Sequence, residues 1–501
     1  MRRGDILRAG AIFCVALALR LAYLGSKPFW ADEFWAIALT DDTLSALWDF
    51  ITRTEINPPL FYALVKWWAG SAGLDEFRLR LLPAVLGACH PVLLFVFLRR
   101  FLPQRHALAA SLLLAVAPMH LTFSQLLKTY TLFGCLTLLS LILLDVAIRR
   151  PGRLLPWLIL GIVNAATAYC HNFAWLLFLV EAVFFVAFVR TCWAGAFLSA
   201  LTTGIIFLPW LPSFLIQASR AAGLNKGELS SQTLRVGYTL FTFVCGESIN
   251  PLMLWLVVPA GCATLVLCLL AVRPWIALPA REKWLLLLFL CLPLGVNATT
   301  RFSWPQNFIP FLPGFLFLVT LGGCDGRPRR LAVACMGIFL AAQSLADISW
   351  YRGDTTNLHD VSKNLPYRRI AGVIESGEQE GDVVVTTENR EFVLGKWTFS
   401  GFDWYYRGGL PVISLFEAPR GDALAALARL PAGTRRVWLL LNYNASYETN
   451  AFLKRWFDTH GRLLLAQQYV PNERLVRGRL LKTMPRYYHY YELYLYRLEE
   501  R

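Results

Sequence analysis

The chain has 501 residues, of which 56% are hydrophobic, 14% aromatic and only 16% charged. Soluble domains carry about 25% charged residues, so this composition excludes an ordinary soluble protein. Apolar runs of about 20 residues, the length that crosses a bilayer, recur as far as Trp350 and then stop. The formal net charge of +15 would suit a nucleic-acid binder, but its placement along the chain indicates a role in membrane orientation and no nucleic-acid partner.

Eleven apolar segments predict a polytopic α-helical membrane protein. They are residues 7–24, 81–98, 107–124, 129–148, 154–170, 173–190, 194–212, 251–271, 284–300, 305–323 and 331–349. The first segment follows Arg2, Arg3 and Arg8, as a signal peptide would. It lacks a small-residue cleavage site and ten further spans follow it, so we expect it to stay in the membrane.

Basic residues mark alternate short loops between these segments. They are Arg99, Arg100 and Arg105; Arg149, Arg150 and Arg153; Arg273, Arg281 and Lys283; and Arg327, Arg329 and Arg330. If every span crosses once, all of them lie on the side of the N-terminus, which is therefore predicted to be cytoplasmic. The expected location is the cytoplasmic (inner) membrane, and an odd number of spans puts residues 350–501 on the extracytoplasmic, periplasmic side.

Two domains are expected, a transmembrane domain at 1–349 and an external soluble domain at 350–501. The external segment 25–80, rich in Trp and Phe, predicts short amphipathic helices at the membrane interface. A second external segment, 213–250, has no clear conformation.

The C-terminal domain alternates strand-like and helix-like segments, which predicts an α/β layer structure. The strands are Val383–Thr386, Pro411–Leu415, Val437–Leu441, Leu463–Ala466 and Tyr488–Leu498, and the helices Tyr367–Glu375, Asp422–Leu430 and Ala451–His460. All eleven cysteines precede residue 336, so disulfides do not stabilise this domain.

The first external segment carries two groups of candidate residues. Asp32 and Glu33 lie between Trp30 and Trp35 just after the first span, where two acids are either a solvated turn or a base beside the membrane. Asn57, Pro58, Pro59 and Tyr62 open the helix that ends the segment. Proline is well tolerated at a helix start, so the structural explanation is favoured over a substrate pocket.

Four further candidates, Lys128, Tyr130, His171 and Arg301, lie at the same predicted external face, and Arg20 and His120 have a weaker claim. A lysine at membrane depth is costly unless it pairs or reaches the interface. A single histidine is more often a satisfied polar residue than a functional one. Together, however, acids and potential cations at the headgroup boundary suit a phosphate-bearing lipid and a deprotonation.

Several motifs resemble the family 39-type glycosyltransferases. These are GT-C membrane enzymes related to protein mannosyltransferases and the lipid A aminoarabinose transferase. The matching stretches are Asp32-Glu33, Pro58–Tyr62, Phe77–Pro83, Lys128–Tyr130, His171, Arg301, Phe311–Gly314, Tyr367–Ala371 and Gly381–Val385. Lys128 stands where the family usually has Arg, which keeps the charge but loses a bidentate phosphate grip. Tyr367 stands where many members have Trp.

The resemblance implies transfer of a sugar from a polyprenyl-phosphate donor to a lipid, glycan or protein hydroxyl outside the membrane. The sequence has no Asp-x-Asp motif and no Gly-rich phosphate loop, so a nucleotide-sugar donor has no evident site. Asp32 is the predicted general base with Glu33 in support. Lys128, Tyr130, His171 and Arg301 are assigned to the donor phosphate, and Asn57, Pro58, Pro59 and Tyr62 to the substrate pocket. Direct displacement predicts inversion, and neither a cofactor nor a metal is evident.

Two other classes of function stay open. A lipid transporter or flippase would place charges along a path through the spans, but Glu181 is the main mid-span charge and no sequence repeat is evident. An envelope-assembly scaffold would use the C-terminal domain for partners and leave the acids without a role. A common cavity for Asp32, Lys128 and Arg301 would separate these classes.

Overall fold

The computed structural model describes residues 3–40, 43–188, 192–223, 230–299, 304–354, 361–388, 392–393, 396–397, 401–442, 447–469 and 491–499. Up to residue 352 the described residues form helices joined by turns and short irregular loops. The helices are α1 (Arg3–Leu21), α2 (Ala31–Ala38), α3 (Leu44–Arg53), α4 (Leu60–Ala72), α5 (Glu76–Leu98), α6 (Gln104–Ala115), α7 (Pro118–Ser124), α8 (Tyr130–Arg149), α9 (Leu154–Cys170), α10 (Ala174–Phe188), α11 (Trp193–Phe207), α12 (Leu211–Gly223), α13 (Ser230–Cys245), α14 (Leu254–Ile276), α15 (Ala280–Thr299), α16 (Leu312–Asp325) and α17 (Arg329–Arg352). Short 3-10 helices cover Leu208–Trp210 and Pro305–Phe311.

The chain divides into two compact units. Met1–Gly25 and Leu39–Tyr351 form the first, here called the membrane unit, and Ser26–Ala38 and Arg352–Arg501 form the second, the α/β unit. The sequence analysis assigned the whole 25–80 segment to the transmembrane domain. The structure instead groups residues 26–38 with the α/β unit, because Phe29 and Phe34 pack against Trp404.

Each of the eleven predicted spans overlaps one or more of α1, α5–α11 and α14–α17. Within the described residues, six helical stretches are long and apolar enough to cross a membrane, and a seventh if α6 and α7, bent by 56°, count as one span. The shorter apolar helices α9 and α10 add to this bundle. The chain is therefore a multi-pass membrane protein, and the number of eleven crossings stays a prediction.

The core of the membrane unit is apolar and closely packed around α5, α8, α14 and α16. A side chain at Gly322 of α16 would put its Cβ 1.9 Å from the carbonyl oxygen of Leu267 in α14, so only glycine permits this approach. Small residues at helix contacts are typical of membrane bundles. Outward-facing apolar residues of α14, such as Leu265 and Leu269, are exposed as a lipid-facing surface would be.

Both external segments of the sequence analysis contain helices. The first has the short helices α2, α3 and α4, as predicted, and Thr43 caps α3 by accepting a hydrogen bond from the backbone of Ala46. The second, left without a conformation, contains α12 and α13.

The α/β unit has a five-stranded sheet between helices. Its elements are a 3-10 helix (Val361–Asn364), α18 (Tyr367–Gly377), β1 (Val383–Thr386), β2 (Phe392–Val393), β3 (Lys396–Trp397), α19 (Gly401–Tyr405), β4 (Val412–Ser414), α20 (Arg420–Ala428), β5 (Arg436–Asn442), α21 (Tyr447–His460), β6 (Gly461–Tyr469) and β7 (Tyr491–Leu498). The strand order is β4-β1-β5-β7-β6. Strands β4, β1 and β5 run parallel to one another, and β7 is antiparallel to both of its neighbours, β5 and β6.

Alternate side chains of the sheet face opposite helical layers. Val383, Val385, Val437 and Leu439 pack with α20 and α21 on one face. Trp438 points to the other face, where its ring lies 3.0 Å from the position of a Cβ at Gly377 in α18. The central strands are buried on both faces, which explains their uninterrupted apolar sequence.

Candidate functional site

The loop between α7 and α8 is fixed by buried hydrogen bonds to α1 and α17. The Gln125 amide donates to the carbonyls of Arg20 (2.9 Å) and Ala22 (2.7 Å). The same amide accepts from the Trp350 indole at 2.6 Å. These bonds fix the position of the loop that carries Lys128 relative to α1 and α17.

Arg20 supports the same loop from within the bundle. Its guanidinium donates to Ser124 Oγ (3.2 Å), to the carbonyls of Ala16 (2.8 Å) and Ala115 (3.1 Å), and to His120 Nδ1 (2.7 Å). Since guanidinium only donates, His120 accepts at Nδ1. Arg20 and His120 are thus explained as structural partners of this loop.

Lys128 and Thr129 form a tight turn that joins the start of α8 to the end of α9. The Lys128 side chain is only 8% exposed, and its backbone N–H donates to the Leu126 carbonyl at 2.8 Å. Thr129 Oγ1 donates to the carbonyl of Cys170 at 3.1 Å. This bond joins the turn directly to the residue before His171.

Tyr130 and His171 lie side by side in an aromatic cluster. Their ring centroids are 5.8 Å apart, and His171 stacks on Phe133 at 4.8 Å. The Phe173 backbone N–H donates to His171 Nδ1 at 3.0 Å. A protonated imidazole cannot accept there, so this geometry favours the neutral form of His171 as a hydrogen-bonding group.

The predicted pocket segment lies beside the turn between α9 and α10. Asn172 Nδ2 donates to the carbonyl of Ile56 at 2.6 Å, directly before Asn57. Gln217 in α12 donates to the carbonyls of Ile51 and Glu55, at 3.1 and 3.2 Å. The membrane unit therefore brings together Lys128, Tyr130, His171 and the Asn57 segment along connected turns.

The prolines of that segment have a structural role. α4 begins at Leu60, immediately after the buried Pro58 and Pro59, as predicted for a helix start. Tyr62 is 4% exposed and packs edge-on against Phe61 at 6.2 Å. Arg301, the remaining member of the predicted donor site, lies outside the described residues.

Asp32 and Glu33 are in the first turn of α2, within the α/β unit. Glu33 is fully buried, and its carboxylate accepts from the Trp30 backbone N–H at 2.8 Å. Asp32 is only half-buried. Glu33 therefore caps its own helix, whereas Asp32 keeps an exposed part.

Several supporting residues were missed by sequence reasoning. Gln125, Trp350 and Gln217 are buried hydrogen-bonding side chains that fix the site loops. Glu247, 1% exposed, follows Gly246 at the end of α13 and adds a buried acid to the second external segment. Their hydrogen-bond partners are up to 225 positions away in the sequence. A polar residue beside a span is therefore the signal that could have drawn attention to Gln125, Gln217 and Glu247.

No group of three His, Cys, Asp or Glu side chains is placed to hold a metal ion among the residues that the structure describes.

Comparisons with known proteins extend this description of a multi-pass helical protein with an α/β unit. No family model and no curated protein matches the sequence. Among solved structures, ArnT from Cupriavidus metallidurans bound to undecaprenyl phosphate matches with a TM-score of 0.55 at 15% identity, over 98% of this chain and 98% of that chain. The apo form of ArnT gives 0.54 at 14% identity, over 96% and 97%.

The archaeal oligosaccharyltransferase AglB from Archaeoglobus fulgidus, in complex with an inhibitory peptide and a dolichol-phosphate, also matches. Its TM-score is 0.51 at 12% identity, over 92% of this chain and 73% of that chain. At such identities the likeness establishes the fold. The chain has the fold of the GT-C membrane glycosyltransferases.

Proposed function

We propose that this protein transfers a sugar from a polyprenyl-phosphate donor to an acceptor hydroxyl on the outer side of the cytoplasmic membrane, with inversion at the anomeric carbon. The observation that carries the proposal is the fold match over the full length of both chains with a protein whose crystal structure contains undecaprenyl phosphate. The match covers 98% of each chain and so includes both the helical bundle and the α/β unit of this protein. This coverage supports a common type of lipid-linked substrate.

The chemistry needs a base for the acceptor and positive charge for the leaving group. The acceptor oxygen forms a bond to the anomeric carbon, the bond from that carbon to the phosphate oxygen breaks, and the acceptor proton passes to a carboxylate. The polyprenyl phosphate leaves with one additional negative charge, so a nearby cation binds the transition state more tightly than the ground state.

We assign these roles to the candidate residues one by one. Asp32 is the base, because its neighbour Glu33 already accepts the hydrogen bond that caps α2. Lys128 is the cation for the donor phosphate, with Tyr130 and the neutral His171 as hydrogen-bonding groups and Arg301 as a second cation. Asn57, Pro58, Pro59 and Tyr62 shape the substrate pocket.

A transporter is less well supported. Glu181, the main mid-span charge, accepts hydrogen bonds from Ser140 (2.5 Å) and Asn164 (2.8 Å) on neighbouring helices. Its partners on α8 and α9 explain it as part of the bundle interior, because a buried polar network stabilises one packing of helices.

Purified protein in liposomes, supplied with a panel of labelled polyprenyl-phosphate sugars and lipid, glycan and protein acceptors, tests the proposal. We expect label on an acceptor with release of an equal amount of polyprenyl phosphate. Movement of the intact donor between leaflets without cleavage would instead identify a flippase, and label from a nucleotide sugar would contradict the donor class.

Lys128 provides the matching test of the donor site. A hydrogen bond to a charged group contributes about 1.5–3 kcal/mol, so Lys128→Ala should lower kcat/KM for the donor roughly 10- to 100-fold, while Lys128→Arg keeps most activity. The control is Lys283→Ala, since Lys283 lies in a predicted cytoplasmic loop and donates to the Ile276 carbonyl at 3.3 Å. Equal donor kinetics in Lys128→Ala and the control would contradict the assignment.

A further inference from the structure

The segment that carries the acids is packed inside the α/β unit by three aromatic rings. Phe29 lies 5.9 Å from Phe34 and 6.0 Å from Trp404, and Phe34 lies 6.0 Å from Trp404, measured between ring centroids. Phe29 and Phe34 are buried on either side of Asp32. Aromatic pairs at such distances stabilise the packing beyond the effect of their buried area.

Polar contacts hold the backbone of the same segment. The Phe29 backbone N–H donates to the hydroxyl of Tyr405 at 2.7 Å. Arg368 donates to the Ser26 carbonyl at 3.2 Å, with its guanidinium over the Tyr405 ring at 5.5 Å. The ammonium of Lys363 lies 5.4 Å from the centroid of the Trp30 ring. The backbone is therefore held at Ser26 and Phe29, and the Trp30 ring is contacted next to the N–H that Glu33 accepts.

Tyr405 is itself fixed by the sheet. Its ring stacks on Tyr367 with a centroid distance of 6.2 Å, and the hydroxyls of Tyr367 and Tyr491 are 3.1 Å apart. A Cβ at Gly401, the first residue of α19, would lie 2.2 Å from the Tyr367 ring, so glycine is needed for this approach. Through Tyr491, the first residue of β7, Tyr405 is linked to the central sheet.

α2 needs such support because it has only eight residues. An isolated helix shorter than about 12–15 residues is marginal in water, so its orientation depends on tertiary contacts. The direction of Asp32 is therefore set by the residues that hold Phe29 and Phe34.

We propose that Tyr405, with Trp404 and Arg368, is a positioning residue for the acid-bearing helix α2, so that the α/β unit contributes to turnover by orienting Asp32. The inference rests on the proposed function for its kinetic part. Its structural part, the attachment of residues 26–38 to the α/β unit by the Tyr405 hydroxyl, can be measured without any activity.

Tyr405→Phe removes the hydroxyl and keeps the ring. Because the loss of this hydrogen bond displaces the base, kcat should fall roughly tenfold while donor KM stays within about twofold. Amide hydrogen exchange of peptides covering residues 29–38 should become faster. Arg368→Gln, which removes the bond to Ser26, should shift both readouts in the same direction.

The matched control is Tyr406→Phe, at the residue directly after α19. The Tyr406 hydroxyl donates to Glu378 at 2.6 Å and accepts from the Leu410 backbone at 3.1 Å, away from residues 26–38. Its kcat and its exchange at 29–38 should equal those of the wild type. If Tyr405→Phe and Tyr406→Phe give the same exchange, or if only KM changes, the positioning role is wrong. If the wild type transfers no sugar, the proposed function fails, and exchange alone decides the attachment.

Discussion

Asp32 and Glu33 lie in the first turn of α2 and differ in burial. On a helix their side chains diverge by roughly 100°, so only one of them can face a given substrate. Glu33 is buried and accepts the Trp30 backbone N–H. Asp32 in the same turn is half-buried. Geometry is consistent with the sequence-based proposal of Asp32 as base, and it gives Glu33 a structural role at the start of α2.

Another buried acid of the α/β unit, Glu388, makes the stability of this unit sensitive to pH. It follows β1 and is 3% exposed, accepting from Asn442 Nδ2 at 2.9 Å. Burial raises the pKa of the Glu388 carboxyl from 4.5 to about 7, and hydrogen bonds from Tyr491 and Asn442 oppose that shift only in part. Because the folded unit keeps this proton to a higher pH than the unfolded chain, its free energy of unfolding should fall as pH rises from 4.5 through about 7.

Glu388→Gln should remove this pH dependence and leave the unit more stable than the wild type at pH values above 7. Hydrogen exchange of β1 and β5 amides in the full chain, corrected for the intrinsic exchange rate, gives the comparison. Glu380→Gln is the control, since Glu380 is exposed on the same unit. A wild type and a Glu388→Gln protein with parallel pH profiles would rule out this source of pH sensitivity.

At the scale of elements, the packing of α14 against α16 depends on one glycine. A methyl group at Gly322 would meet the Leu267 carbonyl at 1.9 Å, so Gly322→Ala must separate two spans of the core. Overpacking of a closely packed interior costs about 1–3 kcal/mol. Unfolding in detergent, followed by loss of helical circular dichroism, should show this loss of stability.

Gly337→Ala is the matched control in α17, because a Cβ there meets nothing within 4 Å. It should be neutral or slightly stabilising, since alanine favours the helix more than glycine. Similar unfolding of both variants would mean that α14 and α16 are not in the described contact.

Elements with a strong local pattern were predictable from the sequence. β1 has the predicted bounds, Val383–Thr386, because four β-branched residues buried on both faces form one apolar run. The attachment of Phe29 to Tyr405 was not predictable, since it joins positions 376 residues apart. The hydrogen bond that His171 accepts was not predictable either, since no sequence pattern reveals that a neighbouring backbone N–H occupies its Nδ1.

For the whole molecule, ion pairs gather the predicted cytoplasmic loops at one end of the membrane unit. Arg99 lies 3.3 Å from Asp5, next to the N-terminus, and Arg105 lies 2.8 Å from Asp325 at the end of α16. Arg100 pairs with Asp145 near the end of α8. The loop charges that predict the cytoplasmic side thus share one face of the bundle, which supports the predicted orientation.

Reporter fusions test that orientation. Fusions in the loops at 99–106, 149–153 and 273–283 should be active only as cytoplasmic reporters, and fusions after Trp350 or at the C-terminus only as exported ones. A variant without the basic residues of one loop gives a control, because the cytoplasmic reporter signal of that loop should weaken more than the signals of the other loops. A C-terminal fusion that is active in the cytoplasm would overturn the odd number of crossings.

The most direct test of the proposed mechanism compares the turnover of Asp32→Asn and Glu33→Gln with that of the wild type, in liposomes with a polyprenyl-phosphate sugar. A general base contributes on the order of 10²–10⁴-fold, so Asp32→Asn should lose that factor in kcat. Glu33→Gln, whose amide oxygen still accepts the Trp30 N–H, should stay within about tenfold of the wild type. An active wild type with Asp32→Asn near full activity would contradict the account, whether Glu33→Gln is active or not.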